Sequence, residues 1–144
     1  MCIRDSYYSS LALGNSASYL VDRYYGNPAT NYNTDFHLQD SLWAVFPPGS
    51  GDEHFRCVLN DGGHAAPKSI TVAQNSFMTA ASGYDDFAVL VYDIHNGGAG
   101  AADGLYAGVF ADFDIGSDPA TNQAAADTMR RTCLLYTSPS PRDS

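Results

Sequence analysis

The chain has 144 residues and a formal net charge of -9, from 16 aspartates and glutamates against 7 lysines and arginines. Nucleic acids and anionic membranes both attract clustered cations, so this acidic balance argues against either as a partner. Aromatic residues make up 12% of the chain, too many for a disordered protein, and no apolar run is long enough for membrane insertion, so we expect one folded domain.

The first half of the chain contains short apolar stretches that are separated by turn residues. The pattern predicts strands at residues 18–25, 42–46, 54–59 and 69–73. Pro47 ends the second of them, because proline cannot donate to a β-ladder. In the fourth, Ile70 and Val72 lie on one face and Thr71 on the other, so we expect a half-exposed strand.

Two later segments, residues 87–94 and 105–113, are apolar on both faces for most of their length. The connection between them is rich in glycine and has strong turn chemistry. We therefore predict an antiparallel pair at the centre of a sheet, with Val89 and Val109 deep in the core. Several short strands at this spacing predict an all-β fold, an antiparallel β-sandwich of jelly-roll or immunoglobulin-like type.

The C-terminal part of the chain has helical signals. Asp118 is a good helix cap and Pro119 suits the first helical position. Residues 122–131 then contain three consecutive alanines and end in Arg130 and Arg131, where cations complement the helix dipole. We expect a short helical segment here.

The two ends of the chain share one DNA element. Residues 1–5 can be coded by ATG TGT ATA AGA GAC, whose reverse complement, GTCTCTTATACACAT, lies within a coding of residues 133–138, TGT CTC TTA TAC ACA TCT. This element resembles the mosaic end of a transposon-based sequencing adapter. We therefore expect residues 1–6 and 133–144 to be non-native, and residues 7–132 to hold a single truncated domain, incomplete at one or both ends. A missing strand after residue 132 would leave an unpaired sheet edge that tends to aggregate.

The strongest candidate for a site is an acidic segment after the last apolar stretch. On a strand, Asp112 and Asp114 point to the same face about 7 Å apart. Together with Asp118 they could hold calcium through carboxylate oxygens. The alternative is that Asp112 and Asp114 bind backbone groups at a strand end while Asp118 caps a helix. We expect weak calcium binding at most.

The same pair offers an acid–base hypothesis. Glycoside hydrolysis needs two carboxylates roughly 5–9 Å apart across a cleft. Asp112 and Asp114 meet the distance, but neighbours on one strand lie side by side and do not flank a substrate. We therefore expect no catalytic residue here.

The remaining candidates have structural alternatives. The four histidines lack metal-ligand spacing and are expected on the surface or in loops: His37, His54, His64 and His95. Cys57 lies within a predicted strand and is expected to be a buried, structural thiol. A set of aromatic residues could form a sugar-stacking platform or could pack in the core: Trp43, Tyr24, Tyr25, Tyr32, Tyr84 and Tyr106.

Three segments, residues 70–77, 86–96 and 104–115, carry a resemblance to a known kind of domain. They resemble a β-rich accessory region of large secreted bacterial proteins, often found downstream of subtilisin-like or other peptidase domains. In similar sequences a tryptophan commonly stands where this chain has Phe113. The resemblance implies an extracellular, non-catalytic sandwich module. We expect no cofactor, and we expect its partners to be neighbouring domains of the same parent chain.

Two other functions stay open. One is a carbohydrate- or surface-binding module, which an exposed, coplanar set of aromatic rings would favour. The other is a fragment of a jelly-roll glycoside hydrolase, which two acids facing each other across a groove would favour. Aromatic rings buried between sheets would favour the accessory module.

Overall fold

The computed structural model describes residues 6–23, 34–85, 87–113, 122–127, 129 and 132–137. Within this part of the chain all regular structure is β, which confirms the all-β part of the predicted fold class. The strands are β1 (Ser6–Ser16), β2 (Tyr19–Val21), β3 (His37–Ala44), β4 (Glu53–Asn60), β5 (Ile70–Met78), β6 (Val89–Asn96), β7 (Tyr106–Phe113), β8 (Asn122–Asp127) and β9 (Thr132–Thr137).

The strands form three separate sheets. The first has the order β2-β1-β7, the second has the order β3-β4-β5-β6, and the third is the hairpin β8-β9. The chain divides into two compact units, which we call the central unit (Ala12–Gly108) and the terminal unit (Met1–Leu11 with Val109–Ser144). The whole four-stranded sheet lies in the central unit, which therefore carries the candidate sites.

The four-stranded sheet is regular from β4 to β6. β4 pairs with β5 from Glu53↔Met78 to Asn60↔Thr71, and β5 pairs with β6 over eight residues, in both cases without a bulge. In β5 the predicted alternation is confirmed: Ile70 and Val72 are buried, while Thr71 between them is half-buried. Two-residue periodicity gives one face to the core because successive side chains point to opposite faces.

The buried side chains of the central unit come from both of its larger sheets. Leu13 and Val21 are paired neighbours on β1 and β2, and Ile70 and Val72 are their counterparts on β5; all four are 0% exposed. Burial of one such side chain contributes about 1.5–3 kcal/mol. This small apolar core positions the polar groups described below.

The predicted pairing of two apolar strands at the centre of a sheet is wrong. Residues 87–94 and 105–113 do form strands, β6 and β7, but β6 pairs with β5 whereas β7 pairs with β1 in another sheet. Both are edge strands, and Val89 and Val109 are 46% and 58% exposed. Apolar content predicts that a strand forms, but the choice of partner depends on distant segments.

The predicted C-terminal helix is also wrong where the structure describes it. Residues 122–127 form β8, which pairs antiparallel with β9 through Ala124↔Leu135 and Ala125↔Leu134. The helix propensity of alanine is a weak preference, and pairing with the leucine-rich β9 overrides it. Asp118 and Pro119 lie outside the described residues. The adapter origin of residues 133–144 stays a prediction, because strand formation does not depend on where the codons came from.

Candidate functional site

The predicted acidic site falls mainly outside the part of the chain that the structure describes. Asp112 lies in β7, but its side chain is not among the described ones, and neither are Asp114 and Asp118. Calcium binding there stays a prediction. Among the described residues, no three histidine, cysteine, aspartate or glutamate side chains come together as a metal site.

The structure does not assemble the predicted aromatic platform from its described members. Trp43 is half-buried on β3, Tyr106 begins β7 and is 78% exposed, and Tyr84 lies in a loop, where its ring contacts Phe87 at 6.0 Å. None of these three rings contacts another. Tyr24, Tyr25 and Tyr32 lie outside the described residues.

One face of the four-stranded sheet carries a row of polar and aromatic side chains on β3, β4 and β5, which ends in a valine on β6. Trp43 is paired with Arg56, Arg56 with Asn75, and Asn75 with Val91, so the row crosses all four strands. Directly opposed residues of paired strands share one face of a sheet and lie close together. This arrangement could not be derived from the sequence, because it depends on three separate pairing registers.

A chain of hydrogen bonds fixes the polar groups beside this row. The Gly49 amide donates to His54 Nδ1 at 3.3 Å, so the imidazole proton resides on Nε2, which donates to Asn75 Oδ1 at 3.0 Å. Asn75 Nδ2 then donates to Asp93 Oδ2 at 3.5 Å. The His54 ring also stacks on Phe77 at 4.4 Å. These contacts satisfy the buried Asn75 amide and hold His54 in one tautomer.

Trp43 and Arg56 present donor groups that have no partner within the described part of the chain. Both side chains are half-buried, and neither the indole N–H nor the guanidinium makes a hydrogen bond or ion pair with another described residue. An arginine guanidinium offers five N–H donors in a planar fork that fits carboxylates. The pair therefore offers a flat ring beside a set of donors, which suits a ligand rich in oxygen acceptors.

A second polar cluster is centred on Asp61, which is only 2% exposed. Its carboxylate accepts hydrogen bonds from the Tyr19 hydroxyl at 2.8 Å, the Lys68 amide at 2.6 Å and the Ile70 amide at 3.1 Å. Ser69, between the two amides, has a left-handed φ of 62°, and this turn directs the amides on either side of it to one anion site. Because Asp61 itself fills this site, its role is to anchor the start of β5.

Lys68 and His64 complete this cluster around Tyr19. Lys68 Nζ lies 4.5 Å from the centre of the Tyr19 ring and donates to Asn15 Oδ1 at 3.3 Å, while the His64 ring meets Tyr19 edge-on at 5.1 Å. Burial, reinforced by the Asp61 carboxylate, raises the pKa of Tyr19 well above its usual range. The hydroxyl therefore stays protonated as a donor. The sequence showed only a turn at Asp61, and nothing in it signalled burial.

Cys57 is a buried free thiol on the central strand β4, as predicted. Burial raises the pKa of this thiol, so the reactive thiolate is disfavoured at neutral pH. His54 and His64 take the structural roles described above, whereas His37 and His95 are exposed.

An open apolar groove of about 370 Å³ lies on the three-stranded sheet. Leu20 and Tyr106 border it, and small residues between them leave the space open. Gly14 is needed there, because a Cβ atom at this position would lie 2.9 Å from the Tyr19 carbonyl oxygen. The lining residues are Ala12, Gly14, Asn15, Ser16, Ala17, Leu20, Tyr106, Ala107 and Gly108.

Comparison of the chain with models of protein families, with curated proteins and with solved structures finds no match. Among the described residues, no helix has the length and apolar character that crossing a membrane requires. The geometry of the central unit therefore carries the functional interpretation.

Proposed function

We propose that this chain is a non-catalytic accessory β-sandwich module of a secreted bacterial multidomain protein, where it packs against a neighbouring domain of the same parent chain. The single observation that carries the proposal is the apolar groove on β1, β2 and β7. Tyr106 and Leu20 beside it are 78% and 51% exposed. Covering such side chains stabilises an association by about 25 cal/mol per Å² of apolar surface, so a partner domain is favoured there.

The two-layer part of this proposal is supported by the polar and apolar contacts of the central unit. The Tyr19 hydroxyl on β2 donates to Asp61 at the end of β4, which joins the three-stranded sheet to the four-stranded one. Buried side chains on both sheets, Val21 and Val72 among them, fit facing layers. The jelly-roll and immunoglobulin-like types differ in strand connections, and both remain compatible with this support.

The composition of the groove fits a surface that packs against a partner domain. The described lining of the groove contains no carboxylate, imidazole or thiol. A groove of this composition suits packing.

The test is to express the chain together with the coding sequence recovered on both sides of residues 7–132, and to follow amide hydrogen exchange. We expect exchange in β1, β2 and β7 to slow when the neighbouring domain is present. Tyr106→Ser should weaken that protection at least about tenfold, because it removes apolar contact area. Tyr84→Ser, at a tyrosine that is also exposed (59%), is the matched control. Unchanged exchange in the groove would refute the proposal.

A second candidate, a carbohydrate-binding module, is favoured by the unpartnered donors of Trp43 and Arg56. Sugar rings stack on tryptophan, and a uronic acid would add a carboxylate for the guanidinium. Titration calorimetry with neutral and uronate-containing oligosaccharides tests this candidate. Trp43→Ala should abolish binding of both, Arg56→Ala should affect mainly the uronate, and Tyr84→Ala should change neither. Absence of heat with all the oligosaccharides would reject it.

A further inference from the structure

The outer side of β6 is an open sheet edge. Within the described residues β6 has a hydrogen-bonded neighbour only in β5. The Gly97 amide donates to the Ser69 carbonyl at 3.0 Å. This bond shows which residues of β6 are hydrogen-bonded to β5: the odd-numbered residues turn their backbone groups toward β5. The amides and carbonyls of Leu90, Tyr92 and Ile94 therefore face outward and can accept another strand.

The two edges of this sheet are protected very differently. β3, at the opposite edge, has register shifts on both sides of Asp40 when it pairs with β4. Bulges, lysines and prolines are the usual devices that stop edge strands from pairing with other chains. β6 has none of these: its sequence is VLVYDIHN, and it pairs with β5 without a shift. Its exposed apolar side chains are Val89, Leu90, Val91 and Ile94.

We infer that this edge pairs with β6 of a second copy of the chain, antiparallel about a twofold axis, so that two four-stranded sheets join into one. In an antiparallel pair the axis can pass beside a hydrogen-bonded pair or beside a non-hydrogen-bonded pair of residues. We place it beside Ile94, whose backbone groups face outward. When Ile94 lies opposite its own copy, Asp93 lies opposite His95 of the second copy. By symmetry, His95 lies opposite Asp93 of the second copy.

This register brings compatible side chains together on both faces of the joined sheet. On one face, each exposed Asp93 carboxylate accepts a hydrogen bond from a His95 imidazole, and such pairs lie where strand backbones are closest, about 4.5 Å between Cα atoms. On the other face, Ile94 meets its own copy, and Tyr92 lies opposite Asn96 of the second copy. Because the side chains of β6 are complementary to those of a second β6, a second copy of the chain is favoured over an unrelated strand.

The first experiment measures the mass of the full chain in solution by light scattering over about a hundredfold range of concentration. We expect a dimer that dissociates on dilution. Ile94→Lys should raise the dimer dissociation constant at least about tenfold, because a lysine at the junction is a known form of edge protection. Leu38→Lys, at an exposed position of β3, should leave the dimer intact. A cooperative thermal melt of each variant confirms that it folds.

The second experiment tests the register by exchanging the paired side chains. His95→Asp should weaken the dimer, since it sets aspartate against aspartate. Adding Asp93→His to that variant should restore the dimer, because a histidine at position 93 then lies opposite an aspartate at position 95 of the second copy. The inference is overturned by a monomer at all concentrations, by equal effects of Ile94→Lys and Leu38→Lys, or by failure of the double exchange to restore pairing. None of these outcomes involves the groove on the three-stranded sheet.

Discussion

Strands β5 and β6 are neighbours in one sheet, yet their apolar side chains differ in burial. In β5, ITVAQNSFM, apolar and polar residues are mixed, but Ile70 and Val72 are completely buried. In β6, VLVYDIHN, apolar residues are nearly continuous, but Val91 and Ile94 are 41% and 37% exposed. Val72 and Ile94 are even paired with each other. The place of a strand in its sheet, more than its apolar content, decides how deeply its side chains are buried.

The Asp61 cluster explains why β5 begins in the interior. Asp61 binds the Ile70 amide through its carboxylate, and its own amide donates to the Ile70 carbonyl at 3.1 Å. Tyr19 holds the same carboxylate from β2. Among the described residues β6 has no anchor of this kind, since Asp93 is exposed and accepts one long hydrogen bond there, from Asn75 at 3.5 Å.

The largest expected difference between the two strands concerns these aspartates. Asp61→Ala leaves the Tyr19 hydroxyl and two buried amides without an acceptor, so we expect the free energy of unfolding to fall by about 3–5 kcal/mol. Asp93→Ala should cost less than about 1 kcal/mol, because water can replace the lost contact. Urea denaturation of both variants measures this. Equal losses would show that the anchor of β5 has no special role.

A matched pair of isoleucines gives the next largest effect. Ile70→Ala on β5 should lower the free energy of unfolding by about 3–4 kcal/mol, because a fully buried side chain is lost and a cavity remains. Ile94→Ala on β6 should lower it by about 1 kcal/mol at concentrations where the chain is monomeric, because much of that side chain is in water. The same urea titrations apply. A loss at Ile94 as large as that at Ile70 would mean that β6 is covered in solution.

The smallest effect concerns the Tyr19 hydroxyl. Tyr19→Phe removes one donor to Asp61 and should cost about 1–2 kcal/mol at neutral pH. The pKa of Tyr19 is raised in the folded state by burial. This contribution is therefore complete below pH of about 10, the ordinary tyrosine value, and is lost as pH rises toward the folded-state pKa.

Stability curves at neutral and strongly alkaline pH measure that loss. The difference between the unsubstituted chain and Tyr19→Phe should shrink above pH of about 10. Tyr106→Phe, at an exposed tyrosine, is the control and should match the unsubstituted chain throughout. A constant difference at all pH values would contradict the assigned hydrogen bond.

The sequence predicted the positions of most strands, including the exposed β6 and β7, but it missed β1 and gave β8 to a helix. The alternation around Thr71 and the apolar run near Cys57 record a burial pattern directly, and both predicted strands are present as β5 and β4. β1 was missed because its serines, glycine and asparagine have little strand preference. Residues 122–131 were assigned to a helix because alanine favours one locally, although pairing with β9 decides the outcome.

The candidate sites also divide into those that the local sequence predicts and those that depend on contacts between distant segments. Cys57 was expected to be buried and is buried, because an apolar strand context is visible in the local sequence. The Asp61 cluster gathers Tyr19, Lys68 and Ile70, and the polar row joins Trp43 to Arg56. No local pattern contains these contacts, since each depends on where distant strands meet.

The sequence alone determined that the described part of the chain is mainly β, because two-residue alternation, β-branched residues and frequent turn residues act within a few positions of each other. Tertiary structure alone decided which strands are central and which are edges. Strand pairing joins residues far apart in the chain, and its free energy depends on backbone hydrogen bonds that nearly every residue type can make. For that reason Ile70 is buried and Ile94 is exposed, although both are isoleucines on neighbouring strands of one sheet.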